Sequence, residues 1–266
     1  MSTARQRIVI AGHALRVEGR GPVGSERTFV LVHGIGMSHR YLAPLRDGLA
    51  HGARVITVDL PGFGGLPSPR EDLDVPAMGA LVADVLHTLA LERVVLVGHS
   101  MGVQWVLEAA RNAAPRVAGV VLIGPVVDAA HRSLPSQAVA LAVDTLREKP
   151  AVNALVFSDY LRCGPRWYLT QARHMTSYAT ETSVARTLQP MLLIRGARDS
   201  VAGAEWLRRL HEAGRDATLV EVPGQPHNVQ YTAASRVAEA ILGFETRLAV
   251  PETSLSGHRG GPTSTR

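Results

Sequence analysis

Short, largely apolar runs punctuate the chain at 94–97, 120–123, 191–195 and 217–222, all but the third rich in β-branched residues, and each reads as a strand. Between them, stretches such as 103–110 and 204–213 carry apolar residues at helical spacing with no internal proline or glycine. Strands that alternate with helices predict an α/β fold, a mainly parallel sheet with helices on both faces. One interval departs from this rhythm. The stretch from residue 123 to 191 far exceeds the connections of about 2–6 residues usual in α/β units, so it is expected to hold structure of its own. Helical patches are read at 138–147 and 151–161, broken by Pro135, Pro150 and the pair Gly164-Pro165.

The run at 94–97 ends in Gly98-His99-Ser100-Met101-Gly102 and opens directly into the helical stretch. A strand, a sharp Gly-x-Ser-x-Gly turn and a helix together form a nucleophile elbow. Side chains at Gly98 or Gly102 are expected to collide with the neighbouring strand or helix, and the strained turn lifts Ser100 clear of the backbone. Its place at a helix N-terminus puts the Met101 N–H beside the hydroxyl, where it can stabilise an oxyanion.

A hydroxyl is a poor nucleophile at neutral pH, so Ser100 needs a base and a group to orient that base. Asp199 lies in the loop that follows the strand at 191–195, and His227 in the loop that follows the strand at 217–222. The chain order Ser, Asp, His is that of α/β-hydrolases and differs from both protease orders. Ser100 is therefore read as the nucleophile, His227 as general base and then acid, and Asp199 as the carboxylate that fixes the imidazole tautomer. Asp128, just past the strand at 120–123, is a second candidate for the acid.

With these residues in place, the chain resembles the α/β-hydrolase superfamily, in its serine-hydrolase, esterase-like branch, from about residue 7 to about residue 248. The segment Thr28–Val32 followed by His33-Gly34-Ile35-Gly36 looks like the strand and oxyanion loop of that family, and residues 54–65 look like the strand and Asp-x-Pro-Gly-x-Gly turn that follow. The resemblance implies that the Ile35 N–H is the second oxyanion donor beside Met101. It also implies a core at 1–127 and 188–249, with 128–187 as a helical cap inserted after strand 6. Phe157, Tyr160, Trp167 and Tyr168 are expected to help wall a largely apolar substrate pocket within that cap. Relatives often carry proline where Ser200 follows Asp199, and glycine where Pro226 precedes His227.

These parts imply hydrolysis of a small to medium, largely apolar carboxylic ester, thioester or lactone through an acyl-enzyme, with no cofactor. The same triad also serves acyl transfer, perhydrolase or haloperoxidase-like chemistry and carbon–carbon bond hydrolysis, and a hydrolase-like binding protein would keep the fold. A serine at position 100 excludes relatives that use an aspartate nucleophile. Gly34-Ile35-Gly36 begins like a dinucleotide fingerprint, but His39 stands where the third glycine belongs. The remaining histidines show no ligand spacing, so no metal is expected; His99 and His33 are read as packed, hydrogen-bonding residues.

Composition narrows partners more than chemistry. The 266 residues are 46% hydrophobic, enough for one sizeable domain, and Cys163 is the single cysteine, so no disulfide forms within the chain. The net charge of +5 is scattered arginine with Lys149 as the lone lysine, a pattern without the clustering that nucleic-acid binding needs. Arg132, Arg147, Lys149, Arg162, Arg166 and Arg173 in the insertion could attract an acidic acyl carrier protein. With no secretory signal and no run of about 18 apolar residues, a cytoplasmic enzyme that meets no membrane is expected. The Ser-, Thr-, Gly- and Pro-rich residues 250–266 read as a disordered tail.

Overall fold

The computed structural model describes residues 4–129 and 132–248, so the expected tail lies outside the described residues. The chain opens with β1 (Ala4–Ile10), β2 (His13–Arg20), β3 (Thr28–Val32), α1 (His39–Leu49), β4 (Arg54–Asp59) and α2 (Val75–Thr88). It continues through β5 (Val94–His99), α3 (Gly102–Asn112) and β6 (Val117–Ile123). Four helices follow before the sheet resumes: α4 (Leu134–Thr145), α5 (Pro150–Cys163), α6 (Pro165–Ser177) and α7 (Thr180–Arg186). The last elements are β7 (Met191–Gly196), α8 (Ala204–Ala213), β8 (Ala217–Val222), α9 (Val229–Thr232) and α10 (Ala234–Leu248).

The strands form one eight-stranded sheet in the order β1-β2-β4-β3-β5-β6-β7-β8. β2 runs antiparallel to both β1 and β4, and the six strands from β4 to β8 pair in parallel. From β3 the chain goes to β4 on one side and reaches β5 on the other, so the crevice beyond the carboxyl ends of β3 and β5 is the topological switch point. In open α/β sheets that crevice is where ligands bind.

Alternation along the strands feeds two apolar layers. On one face Val30, Val32 and Leu96 pack with Met78 and Leu86 of α2, Val106 of α3 and Trp206 of α8. On the other, Phe29, Leu31, Val95 and Val97 pack with Leu42 and Leu45 of α1 and Ile241 and Phe244 of α10. Both layers immobilise β3 and β5, the strands that aim at the switch point.

The four helices between β6 and β7 correct one expectation. Pro135, Pro150 and Pro165 do not break helices; each stands in the first turn of one. Proline is well placed there because its missing N–H has no intrahelical partner to lose and its φ is already helical. Ser133 adds a side-chain cap by accepting the Ser136 N–H at the head of α4. Helices α6 and α7 were not expected from the sequence pattern.

Candidate active site

Ser100 sits between the end of β5 and the start of α3 with φ at 55°, a left-handed conformation that costs a non-glycine residue about 1–3 kcal/mol. Two backbone bonds hold it there: Ser100 N–H donates to the Ile123 carbonyl at 2.9 Å, and Val103 N–H donates to the Ser100 carbonyl at 3.1 Å. A Cβ at Gly98 would lie 2.5 Å from the Gly102 carbonyl oxygen, and one at Gly102 would lie 2.6 Å from that of Val32. Both distances are below van der Waals contact, so the flanking glycines are what allow strand and helix to meet so closely.

Asp199 and His227 reach the same place from the ends of β7 and β8. The Asp199 carboxylate is fully used: Oδ1 accepts the Val201 and Ala202 N–H groups at 2.8 Å each, and Oδ2 meets His227 Nδ1 at 2.8 Å. Burial would raise this carboxyl, but the His227 ring and the two backbone donors more than reverse it and the pKa falls below the ordinary value. For His227 burial acts against the charged ring, yet the Asp199 charge and hydrogen bond, with Asp144 and Glu148 beyond them, push it up to about 9. Nδ1 is committed to Asp199. Nε2 is the nitrogen left for proton transfer. Asp128, the other candidate acid, instead pairs with Arg209 at 2.6 Å.

A second, neutral relay ties three loops together. Gly34 N–H donates to the Tyr41 hydroxyl at 2.6 Å, that hydroxyl lies 2.8 Å from His99 Nδ1, and His99 Nε2 lies 3.1 Å from the His227 carbonyl. Since Nε2 must donate to that carbonyl, Nδ1 accepts from Tyr41. Burial, with His227 nearby, lowers the His99 pKa to about 3, so the ring stays uncharged. His33 does similar work, contacting the Gly34 carbonyl at 2.8 Å through Nδ1 and accepting the Leu60 N–H at 3.1 Å through Nε2. The relay fixes the loop of Ile35 against the elbow. Among the described residues neither the Ile35 nor the Met101 N–H donates to a backbone acceptor, which leaves both available to an oxyanion.

Ser100, His227 and Ile35 border a cavity of about 210 Å³ whose remaining wall is mostly apolar, with Leu134, Leu141, Val156 and Met175 prominent. The four aromatics expected to wall it divide. Tyr160 and Tyr168 line it, their rings 5.0 Å apart. Phe157 is a correction: it is 64% exposed, because Val156 and Tyr160 turn the inner face of α5 toward the cavity and Phe157 falls on the outer one. Trp167 is buried away from the lining, against Phe63 with ring centroids 6.3 Å apart, so it is a packing residue.

Sequence reasoning missed two lining carboxylates, Asp144 and Glu148. Asp144 Oδ1 accepts the His227 N–H at 3.0 Å, and Glu148 Oε1 accepts the Asn228 N–H at 2.9 Å. Positions 134, 137, 138, 141, 144, 145 and 148 all line the cavity at helical spacing, the last just beyond the end of α4. Among the described residues no group of three or more His, Cys, Asp or Glu is placed to hold a metal ion, and no helix is long and apolar enough to cross a membrane.

Residues 29–240 match the model of the alpha/beta hydrolase family. The chain belongs to that family. It is 28% identical over 249 residues to the biotin biosynthesis bifunctional protein BioHC of Cellvibrio japonicus, matching 83% of this chain and 48% of that one, so it spans about half the length of this relative. Among solved structures it is similar to a bromoperoxidase from Bacillus anthracis, with a TM-score of 0.80 at 22% identity over 92% of this chain and 100% of that one. A thermophilic esterase from Thermogutta terrifontis gives a TM-score of 0.78 at 22% identity, over 93% and 100%. At such identities the shared property is the fold, and the same fold here carries proteins named for different reactions.

Proposed function

We propose that the protein is a serine hydrolase that cleaves a small to medium, largely apolar carboxylic ester, thioester or lactone through an acyl-enzyme on Ser100. The observation that carries this reading is the 2.8 Å bond from Asp199 to His227 beside a cavity that Ser100 also borders, with the serine in a strained left-handed turn. His227, oriented through Nδ1, takes the hydroxyl proton at Nε2 as Ser100 attacks the carbonyl. The N–H groups of Ile35 and Met101 hold the tetrahedral oxyanion, and His227 then gives its proton to the leaving alcohol or thiol. Water, deprotonated by the same ring, releases the acid and restores the serine. In this reading helices α4 to α7 act as a cap over the site, and Tyr160 and Tyr168 shape the acyl pocket.

A serine-directed phosphonate tests the nucleophile. It is expected to label Ser100 alone, and Ser100→Ala to lower kcat on activated esters by on the order of 10⁴-fold or more while the protein stays folded. Label on another residue, or an alanine variant that keeps its activity, overturns the assignment. Product analysis with and without added alcohol or thiol separates hydrolysis from acyl transfer.

A further inference from the structure

The cavity beside Ser100 is lined by Asp144 and Glu148 and by no lysine or arginine, in a chain with 28 basic residues against 23 acidic ones. Glu148 is 8% exposed, and while Oε1 is occupied by the Asn228 N–H, Oε2 is buried with no hydrogen-bond partner. An unpaired buried carboxylate oxygen loses hydration without recovering it, which is costly unless something else occupies the position. Asp144 lies in the last turn of α4, which holds no basic residue, and Glu148 stands three residues beyond the end of that helix. Burial pushes both carboxyls up, more than the charge of the nearby His227 ring pulls them down. In the same cavity Val156, Leu141 and the ring of Tyr160 offer surfaces suited to alkyl groups on a nitrogen and to cation–π contact.

We infer that Glu148, supported by Asp144, forms a cation-accepting subsite, so that the preferred ester carries a protonated amine whose N–H reaches the free Glu148 oxygen. For the ester the inference rests on the serine-hydrolase reading; the binding of the cation does not. The site distinguishes charge from shape because a neutral isostere fills the same apolar wall and leaves Oε2 unpaired.

Matched substrates test it. Dimethylaminoethyl acetate is compared with isopentyl acetate, which replaces N–H by C–H, and with the corresponding neutral hydroxyl analogue, each rate being divided by the rate of hydroxide cleavage to remove leaving-group reactivity. The methyl ester of dimethylaminobutanoic acid and its isopropyl isostere move the charge to the acyl half, and so tell which half of the substrate the subsite holds. Wild type is expected to favour the cationic member of one pair by about tenfold or more in kcat/KM, the scale of a hydrogen bond to a charged group. Glu148→Gln keeps an acceptor for Asn228 and should erase that preference. In Ser100→Ala, dimethylaminoethanol should bind by calorimetry at least about tenfold more tightly than isopentanol. Equal rates within both pairs, a hydroxyl analogue as good as the amine, or a preference that survives Glu148→Gln overturns the subsite. Amine binding to Ser100→Ala with no ester turned over by wild type would keep the subsite and discard the hydrolase reading.

Discussion

The candidate site has two halves that are built differently. The half carried by the sheet is saturated at its acid and its loop histidines: both oxygens of Asp199 and both ring nitrogens of His33 and His99 have partners, most of them backbone groups, although Gln104 Oε1 and Trp105 Nε1 of α3 have none. The half carried by the helices between β6 and β7 is not. Glu148 Oε2, Trp167 Nε1 and Gln171 Oε1 are buried without partners, while Leu146, Phe157 and Leu161 face outward. A satisfied polar network in a low-dielectric interior has one arrangement and holds it, which is what proton transfer needs. Unsatisfied groups and outward apolar side chains mark surface that something else can complete. In our reading the sheet performs the reaction and the inserted helices choose what is brought to it.

The strongest way to break that division is to loosen the saturated half. Asp199→Asn keeps the shape but donates where the carboxylate accepted, so His227 loses its tautomer and kcat is expected to fall by on the order of 10³–10⁴-fold. Asp128→Asn, which weakens the pairing with Arg209, should cost less than about tenfold. Steady-state kinetics on one activated ester decide between them. A larger loss at Asp128 would move the acid to the loop after β6.

That contrast also explains what could be read in the sequence. The runs at 191–195 and 217–222 coincide with the buried β7 and the half-buried edge strand β8 to within a residue, and the helix at 204–213 with α8, because parallel strands and their crossover helices are specified by local apolar pattern. The elbow was legible because close packing demands glycine at fixed positions around Ser100. Asp144 and Glu148 were not legible, since an acid at the end of a helix ordinarily reads as solvated surface, and only the fold of α4 against the loop of His227 buries it. The roles of Tyr160 and Phe157, three residues apart, were equally hidden; which of them faces inward is set by how α5 packs against α6 and α1, a tertiary choice.

The pH profile is the next largest effect, and it probes the seam between the halves. His227 has to be neutral to accept the serine proton, and with its pKa raised to about 9 the ring is mainly protonated near pH 7. Below that pKa, kcat/KM should rise about tenfold per pH unit and level off above it. Because Asp144 and Glu148 help hold the proton on the ring, Glu148→Gln should move the midpoint to lower pH. A flat profile between about pH 6 and pH 9 would remove His227 as the base, and an unmoved midpoint would mean that the helix-borne acids do not influence it.

The smallest effects sharpen the selecting half. Tyr160 and Tyr168 line the cavity, so alanine at either should raise KM for longer acyl chains more than for acetate esters, by up to about 0.8 kcal/mol for each methylene that loses its contact. Trp167→Ala should lower the unfolding midpoint and scale all substrates together, since Trp167 packs on Phe63 outside the lining. Phe157→Ala is the control that gives the series its meaning. An exposed aromatic on the outer face of α5 contributes little to folding, so the variant should stay within about 0.5 kcal/mol of wild type in stability and keep the same chain-length profile. The measurement is kcat and KM along a homologous ester series beside thermal unfolding for each variant. If Phe157→Ala reorders the series as strongly as Tyr160→Ala, α5 presents a different face to substrate, and selection cannot be assigned to its inner residues.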